Sequence, residues 1–300
     1  MASPAPDYQT QFDPQTGEAI AVLPGLVRIT APNAGPYTFT GTNSFLLGHE
    51  ALAVIDPGPD DERHLAALRR GIAGRPVSAV ILTHTHRDHS AAAAGLAEEL
   101  GAPLWFGGRH RLSRRLHRFE WNRLTGSCDW HLMPDRVLVD GETIPAGDMA
   151  LSVHATPGHC ANHLAFGLGE VLLSGDHVMG WSSTLVGVPD GSMADYLASL
   201  EKVIALPYRR YVPAHGGPIA DGPGYARALL AHRQQRNEQV VAAVTAGARR
   251  IGQIVRAIYP QQSLAVRRAA AMTVLAHVEY LEGLGRVRVK RGVLGVRVSV

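Results

Sequence analysis

Three hundred residues, 46% apolar and 18% charged, exclude a disordered chain and exceed what one ordinary hydrophobic core fills. No run of about 18 uncharged apolar residues occurs, and the opening MASPAPDYQTQFDPQTG has no leader pattern, so an unexported, soluble, cytoplasmic protein is expected. Net charge is only +3, yet residues 246–300 hold ten Lys/Arg against two Asp/Glu, and this basic tail suits an anionic partner or a solvated face. Two cysteines, Cys128 and Cys160, are too few for a disulfide framework and fit a reducing compartment.

In chain order, GLVRITAP (25–32), NSFLLG (43–48) and ALAVIDPG (51–58) predict strands punctuated by turn residues. DERHLAALRRGIAG then has helical spacing, and SAVILTH (78–84) returns to a strand, which marks a mixed αβ sheet. A helix is expected over 90–101, strands near 150–154, 163–168 and 170–174, and a further helix over 192–205. The Gly/Pro cluster in PAHGGPIADGPG precedes a long helix from about Tyr225 to Val244.

The tail has its own organisation. RRIGQIVRAIYP and RRAAAMTVLAHVEYLEGLG read as helices, and VRVKRGVLGVRVSV as two strands around an Arg-Gly turn. Helix, helix, two-stranded wing is the winged-helix order, which serves nucleic-acid contact or only packing and dimerisation. The expected division is a catalytic unit over 1–222 and a helical linker with a winged helix over 223–300. Between core elements, residues 109–131 are basic and aromatic. They are read either as a flap that meets an anionic substrate through Arg114 and Arg115, or as an amphipathic cover.

The sequence THTHRDHS places His84, His86, Asp88 and His89 directly after the apolar run SAVIL. Residues two apart at a strand end point the same way, so His84 and His86 can grip one ion while Asp88 and His89 reach a second position. Imidazole suits Zn, Fe, Mn or Ni, and a carboxylate favours harder ions or bridges two. Further ligand types stand beside Gly or Pro at predicted strand ends: His159 in ATPGHCANH, Asp176 in LLSGDHVMG and His215 in YVPAHGGP. Cys160 is read as a space-filling residue, His163 as opening a strand, with support of the ligands from behind as an alternative, and His177 as a pocket-rim residue. Without motif context, His64, His110, His117, His131, His232 and His277 are expected on the surface or on helix faces.

The order HxHxDH, PGH, GD, PAHG, over residues 20–220, resembles the metallo-β-lactamase superfamily. That resemblance implies an α/β fold, the αββα metallo-β-lactamase sandwich, with two divalent ions at one edge, Zn foremost and Fe or Mn as alternatives. By the same resemblance His84, His86 and His159 would hold one ion, Asp88, His89 and His215 the other, and Asp176 would bridge them. Asp56 in VIDPG matches a position that orients ligands through hydrogen bonds. The tail segments HRQQRNEQVV, IGQIVRAIYP and HVEYLEGLGRV resemble a subgroup with a C-terminal winged helix, which includes a mitochondrial endoribonuclease acting on single-stranded RNA.

Water bridging two such ions is acidified towards neutrality, so hydrolysis of a small ester, thioester or lactone is expected, with Asp88 orienting the hydroxide and taking its proton. His86 stands where redox di-iron relatives have Glu, and Asp176 where the β-lactamases of this fold have Cys or Ser. Past His215, Gly216, Gly217 and Pro218 replace the acidic-aromatic pair of glyoxalase II. The alternatives are cleavage of single-stranded RNA and a nucleic-acid-binding protein whose metals are structural. A homodimer through the wing and the absence of any membrane partner complete the expectations.

Overall fold

The computed structural model describes residues 6–262, 264–293 and 295–300. Residues 1–5 of the opening segment, Ser263 before the second tail helix and Leu294 in the wing turn lie outside the described residues, as do the side chains of 264–266.

The first sheet collects β1 (Ile20–Leu23), β2 (Leu26–Thr30), β3 (Asn43–Gly48) and β4 (Leu52–Ile55) as an antiparallel run. After α1 (Glu62–Ile72), β5 (Val77–Ile81) pairs parallel to β4; α2 (Arg87–Ser90) and α3 (Ala93–Leu100) lead to β6 (Leu104–Phe106) and β7 (Arg136–Val137), also parallel. The second sheet takes β8 (Thr143–Ala146), β9 (Met149–Ala155), β10 (Leu164–Leu168) and β11 (Val171–Gly175). Beyond α4 (Met193–Ala205), β12 (Arg210–Pro213) completes it by pairing parallel to β11.

Period-two alternation decides how these sheets stack. Along β4 and β5, Ala53, Ile55, Ala79 and Ile81 point to the core between the sheets, where they meet Phe166, Leu173 and Val212 of the second sheet. Their neighbours Leu52, Val54 and Val80 face the opposite way, onto Ala67, Leu68 and Ile72 of α1 and Leu96 of α3. On the far side, Ala165, Leu172 and Tyr211 pack against Tyr196 and Leu200 of α4 and against Ala226 and Leu229 of α5 (Gly222–Thr245). The layers are therefore helix, sheet, sheet, helix, as the resemblance implied. The sequence pattern does not reveal β1, β6, β7 and β8, which have two to four residues each and too little alternation to register, whereas the strand expected before His215 is β12. The helix expected over 90–101 is α3, preceded by the separate short α2.

The tail consists of α6 (Ile251–Ile258), α7 (Leu264–Gly283) and a hairpin of β13 (Arg288–Gly292) with β14 (Gly295–Ser299). These share their own core, in which Ile254, Val274, Val278, Leu281 and Val298 close around Val240 and Val244 at the end of α5. Helix α5 thus contributes to two cores, and α7 also touches α4. Among the described residues no helix is long and apolar enough to cross a membrane.

The basic segment 109–131 is bound to the tail. Arg114 donates to both carboxylate oxygens of Glu120 and to both of Glu279 on α7, at 2.6–2.8 Å. This guanidinium is fully committed inside the chain, so the flap expectation does not hold for Arg114. A double-mutant cycle of Arg114→Ala with Glu279→Ala, read by chemical denaturation, should give a coupling of about 1 kcal/mol, since the pair is bidentate yet partly solvated. Zero coupling would mean that the pair holds nothing together.

Candidate metal centre

All the predicted ligand positions gather where strands end. His84 and His86 follow β5, His159 lies in the β9–β10 connection, Asp176 follows β11 and His215 follows β12. Asn43 at the start of β3 fixes the last of these: its N–H donates to Ala214 O at 2.7 Å, and its Nδ2 donates to Pro213 O at 3.1 Å and Gly216 O at 2.9 Å. The two sheets are thereby joined at the edge that carries the site.

Two triads result, His84–His86–His159 and Asp88–His89–His215, each with ligand atoms all within 4.8 Å of one another. In the first, His84 Nε2 lies 3.1 Å from His86 Nδ1, and His159 Nε2 lies 2.8 Å from the same atom. In the second, Asp88 Oδ2 is 3.3 Å from His215 Nε2 and 3.5 Å from His89 Nε2. Asp176 spans both: Oδ2 is 3.5 Å from His159 Nε2, while Oδ1 is 3.3 Å from His215 Nε2 and 3.7 Å from His89 Nε2.

Each imidazole is oriented by a partner on its outer nitrogen. His84 Nδ1 donates to Thr83 Oγ1 at 3.0 Å, whose hydroxyl donates on to Asp56 Oδ2 at 2.7 Å. Asp56 also accepts from Thr83 N at 2.7 Å and from His89 Nδ1 at 3.0 Å. His159 Nδ1 donates to Leu185 O at 2.7 Å, and His215 Nδ1 to Gly41 O at 3.1 Å. These bonds orient the rings and turn each inner nitrogen towards the cluster.

The inner atoms need a cation. Lone pairs of His84, His86 and His159 face one another, and the buried His89 Nε2, His215 Nε2 and Asp176 Oδ1 have no hydrogen-bond partner among the described residues. Unpaired buried polar atoms cost about 1–3 kcal/mol each, and nitrogens about 3 Å apart suit ligands held about 2.0–2.1 Å from one ion. The donor set fits a divalent metal at each triad.

The electrostatics divide likewise. Burial, reinforced by the neighbouring imidazoles, holds His84 well below its ordinary range and brings His159 down to about 4. Burial would also lower His215, but Asp176 and Asp88 outweigh it and raise it to about 9. Asp176 shows the converse, since burial opposes its ionisation while His215 and His89 draw it well below the usual carboxylate range. The neutral imidazoles of the first triad and the anionic carboxylates are in the protonation states that bind metal, whereas His89, raised like His215 by Asp88 and Asp176 against the effect of burial, would give up its inner proton with His215 to an incoming ion.

Residues outside the motifs matter as well. Asp190, buried, accepts from His86 Nε2 at 2.8 Å and from His110 Nε2 at 2.8 Å. Neither residue was identified in the sequence, because Asp190 stands in a turn-like VPDG and His110 in a basic stretch expected at the surface. His64 and His277 are likewise buried, bonded to Ser44 Oγ at 2.8 Å and Asn237 Oδ1 at 2.7 Å. His163 directly precedes β10, as expected of a strand-opening residue, and accepts from Asp176 N at 3.1 Å. His177 is buried against Tyr196, not at a rim. Cys160 is buried with its thiol pushed up by burial, as a space-filling residue would be.

The turn that delivers His159 depends on Gly158, at φ +141°, where a Cβ would come 2.4 Å from the Tyr196 Cα. Gly158→Ala must displace backbone. Metal content per chain should fall in that variant while circular dichroism stays close to the parent; unchanged metal content would contradict this account of the turn.

Comparison with known proteins converges on the same frame. Residues 37–215 match the model described as the metallo-beta-lactamase superfamily. The chain is 26% identical over 292 residues to a beta-lactamase-like protein 2 homologue of Drosophila melanogaster, covering 91% of this chain and 95% of that protein. It is 29% identical over 243 residues to an atrochrysone carboxyl ACP thioesterase of Aspergillus fumigatus, covering 79% of this chain and 70% of that protein. The crystal structure of a beta-lactamase domain protein from Burkholderia ambifaria superposes with a TM-score of 0.79 at 25% identity, covering 98% of this chain and 97% of that one. The chain belongs to the metallo-beta-lactamase superfamily and is a metal-dependent hydrolase.

Proposed function

We propose that the chain is a binuclear hydrolase of a small thioester or ester. Its ligands would be His84, His86 and His159 on one ion and Asp88, His89 and His215 on the other, with Asp176 bridging and Asp56 orienting. The observation that carries this reading is Asp176, whose two oxygens face different triads. The thioesterase among the relatives favours a thioester within that class.

When bound, such ions supply acidified water and polarise an acyl carbonyl oxygen. The chain's own residues do the rest. Asp88 is the most open member of the cluster, its side chain 29% exposed, while its carboxylate stays anionic because His89 and His215 outweigh the effect of burial. It is placed to take the proton lost by the attacking water and to deliver it to the departing thiolate or alkoxide. Cys128 and Cys160, buried and with raised pKa, are unsuited to act as nucleophiles.

In this reading residues 1–222 form the catalytic unit and 223–300 a linker with a winged helix used for packing. Support comes from charges already spent within the chain: Arg286 pairs with Glu238 at 2.6 Å, Arg291 with Glu282 at 2.5 Å, and Arg267 donates to Tyr259 O and Pro260 O. A phosphate track for RNA is interrupted at those positions.

A panel of acyl thioesters, esters, lactones and single-stranded RNA tests the reading. Turnover of a thioester, abolished by chelation and restored by Zn, Mn or Fe, is expected; turnover of RNA alone would overturn it. Chelation should also lower thermal stability, because ligand at roughly a thousand times its Kd contributes about 4 kcal/mol. A melting temperature indifferent to metal would contradict tight sites.

A further inference from the structure

Away from the metal centre lies a cavity of about 460 Å³ between residues 117–123, the start of α6 and the face formed by α7 and the β13–β14 hairpin. That size suits a drug-sized ligand. Val188, Met272, Leu275 and Val296 supply an apolar wall. Arg118, Arg123 and Arg250, all exposed, line it too, and none of the three has an ion-pair partner among the described residues. Phe119 and Trp121, 59% and 70% exposed, complete the lining.

The cavity is tied to the metal centre through two segments. Val188 lines it, and two residues on, a span of at most roughly 7 Å, Asp190 accepts from His86. The loop whose middle forms one wall is anchored at both ends beside the ligands: His110 donates to Asp190, and Asp129 N donates to Thr85 O at 2.9 Å. The Val188–Asp190 segment and this loop therefore border both the cavity and the side chain of His86.

We propose that this cavity holds the phosphopantetheine arm of a thioester substrate. Arg118, Arg123 and Arg250 would meet the phosphate, and the apolar wall the extended chain. The assignment rests on the thioester reading above. Unpaired cations beside an apolar wall suit an amphipathic anion. The arm occurs both in coenzyme A and on acyl carrier proteins, and the phosphate chemistry is common to the two.

Calorimetry on the metal-loaded full chain tests it, with 4′-phosphopantetheine, coenzyme A, a holo acyl carrier protein and a single-stranded oligouridylate as probes. Binding of phosphopantetheine should weaken at least about tenfold in the double variant Arg118→Glu/Arg123→Glu, since each charge-assisted hydrogen bond lost weakens binding by about tenfold or more. Metal content equal to the parent certifies the fold of that variant, and Trp121→Ala provides a second, uncharged probe of the same wall. Tighter binding of coenzyme A than of the free arm assigns the nucleotide form, and tighter binding of the holo carrier assigns the protein form. No binding of the arm in any form, binding that charge reversal leaves within about twofold, or oligouridylate binding that the arm fails to displace would overturn the proposal. Arm binding by a chain that turns over no thioester sustains the cavity assignment and removes the thioester reading. Thioester turnover without arm binding does the reverse.

Discussion

Asp176→Ala is expected to leave a folded protein with less than its full complement of metal and with kcat/KM for its substrate reduced by roughly a thousandfold or more. Asp176 Oδ2 and Oδ1 approach His159 and His215 from opposite sides, so one truncation removes a ligand from both triads. The surrounding shell survives, because His163 meets the backbone N–H of residue 176 and Thr184 Oγ1 donates to its carbonyl. Lewis-acid stabilisation by a metal is worth several kcal/mol, and each factor of ten corresponds to about 1.36 kcal/mol. Elemental analysis beside steady-state kinetics reads both effects. Full occupancy with normal turnover would remove Asp176 from the bridge.

Asp190→Ala should cost about 10–100-fold in metal affinity, the usual range for a residue that orients a ligand. Its carboxylate receives Nε2–H from both His86 and His110, and without it two buried imidazoles lose their acceptor. Burial opposes ionisation of Asp190, yet His110 and His86 hold it below the usual carboxylate range, so the pairing favours the anion. Asp190→Asn keeps the shape and can accept only one of the two bonds, so it should fall between parent and Ala variant. A role limited to packing would lower thermal stability at saturating metal and leave the metal dissociation constant unchanged; the positioning role moves the dissociation constant itself.

Much of the candidate site was legible in the sequence because the proposed ligands sit in local signatures. HxHxDH follows an apolar strand, and its members meet through spacing alone, while His159, Asp176 and His215 each carry the glycine or proline that a strand-end turn needs. The outer ring was hidden for the opposite reason. Asp190 reaches His86 across 104 positions of sequence, and Ser44 reaches His64 across 20, so neither contact leaves a local pattern. His110 was misplaced because its neighbours are basic, although the fold turns its ring inward against Trp130 and Asp190. Arg114 was misread for a related reason: its commitment to Glu279 spans 165 positions, and only the docking of α7 against the loop reveals it.

The central claim, that hydrolysis requires two metal ions held together by Asp176, is tested most directly by titrating metal into the stripped protein while following thioester turnover. The account predicts activity that rises to a plateau at two equivalents per chain, with the Asp176→Ala variant never reaching it. A plateau at one equivalent, or turnover that survives complete chelation, would contradict it.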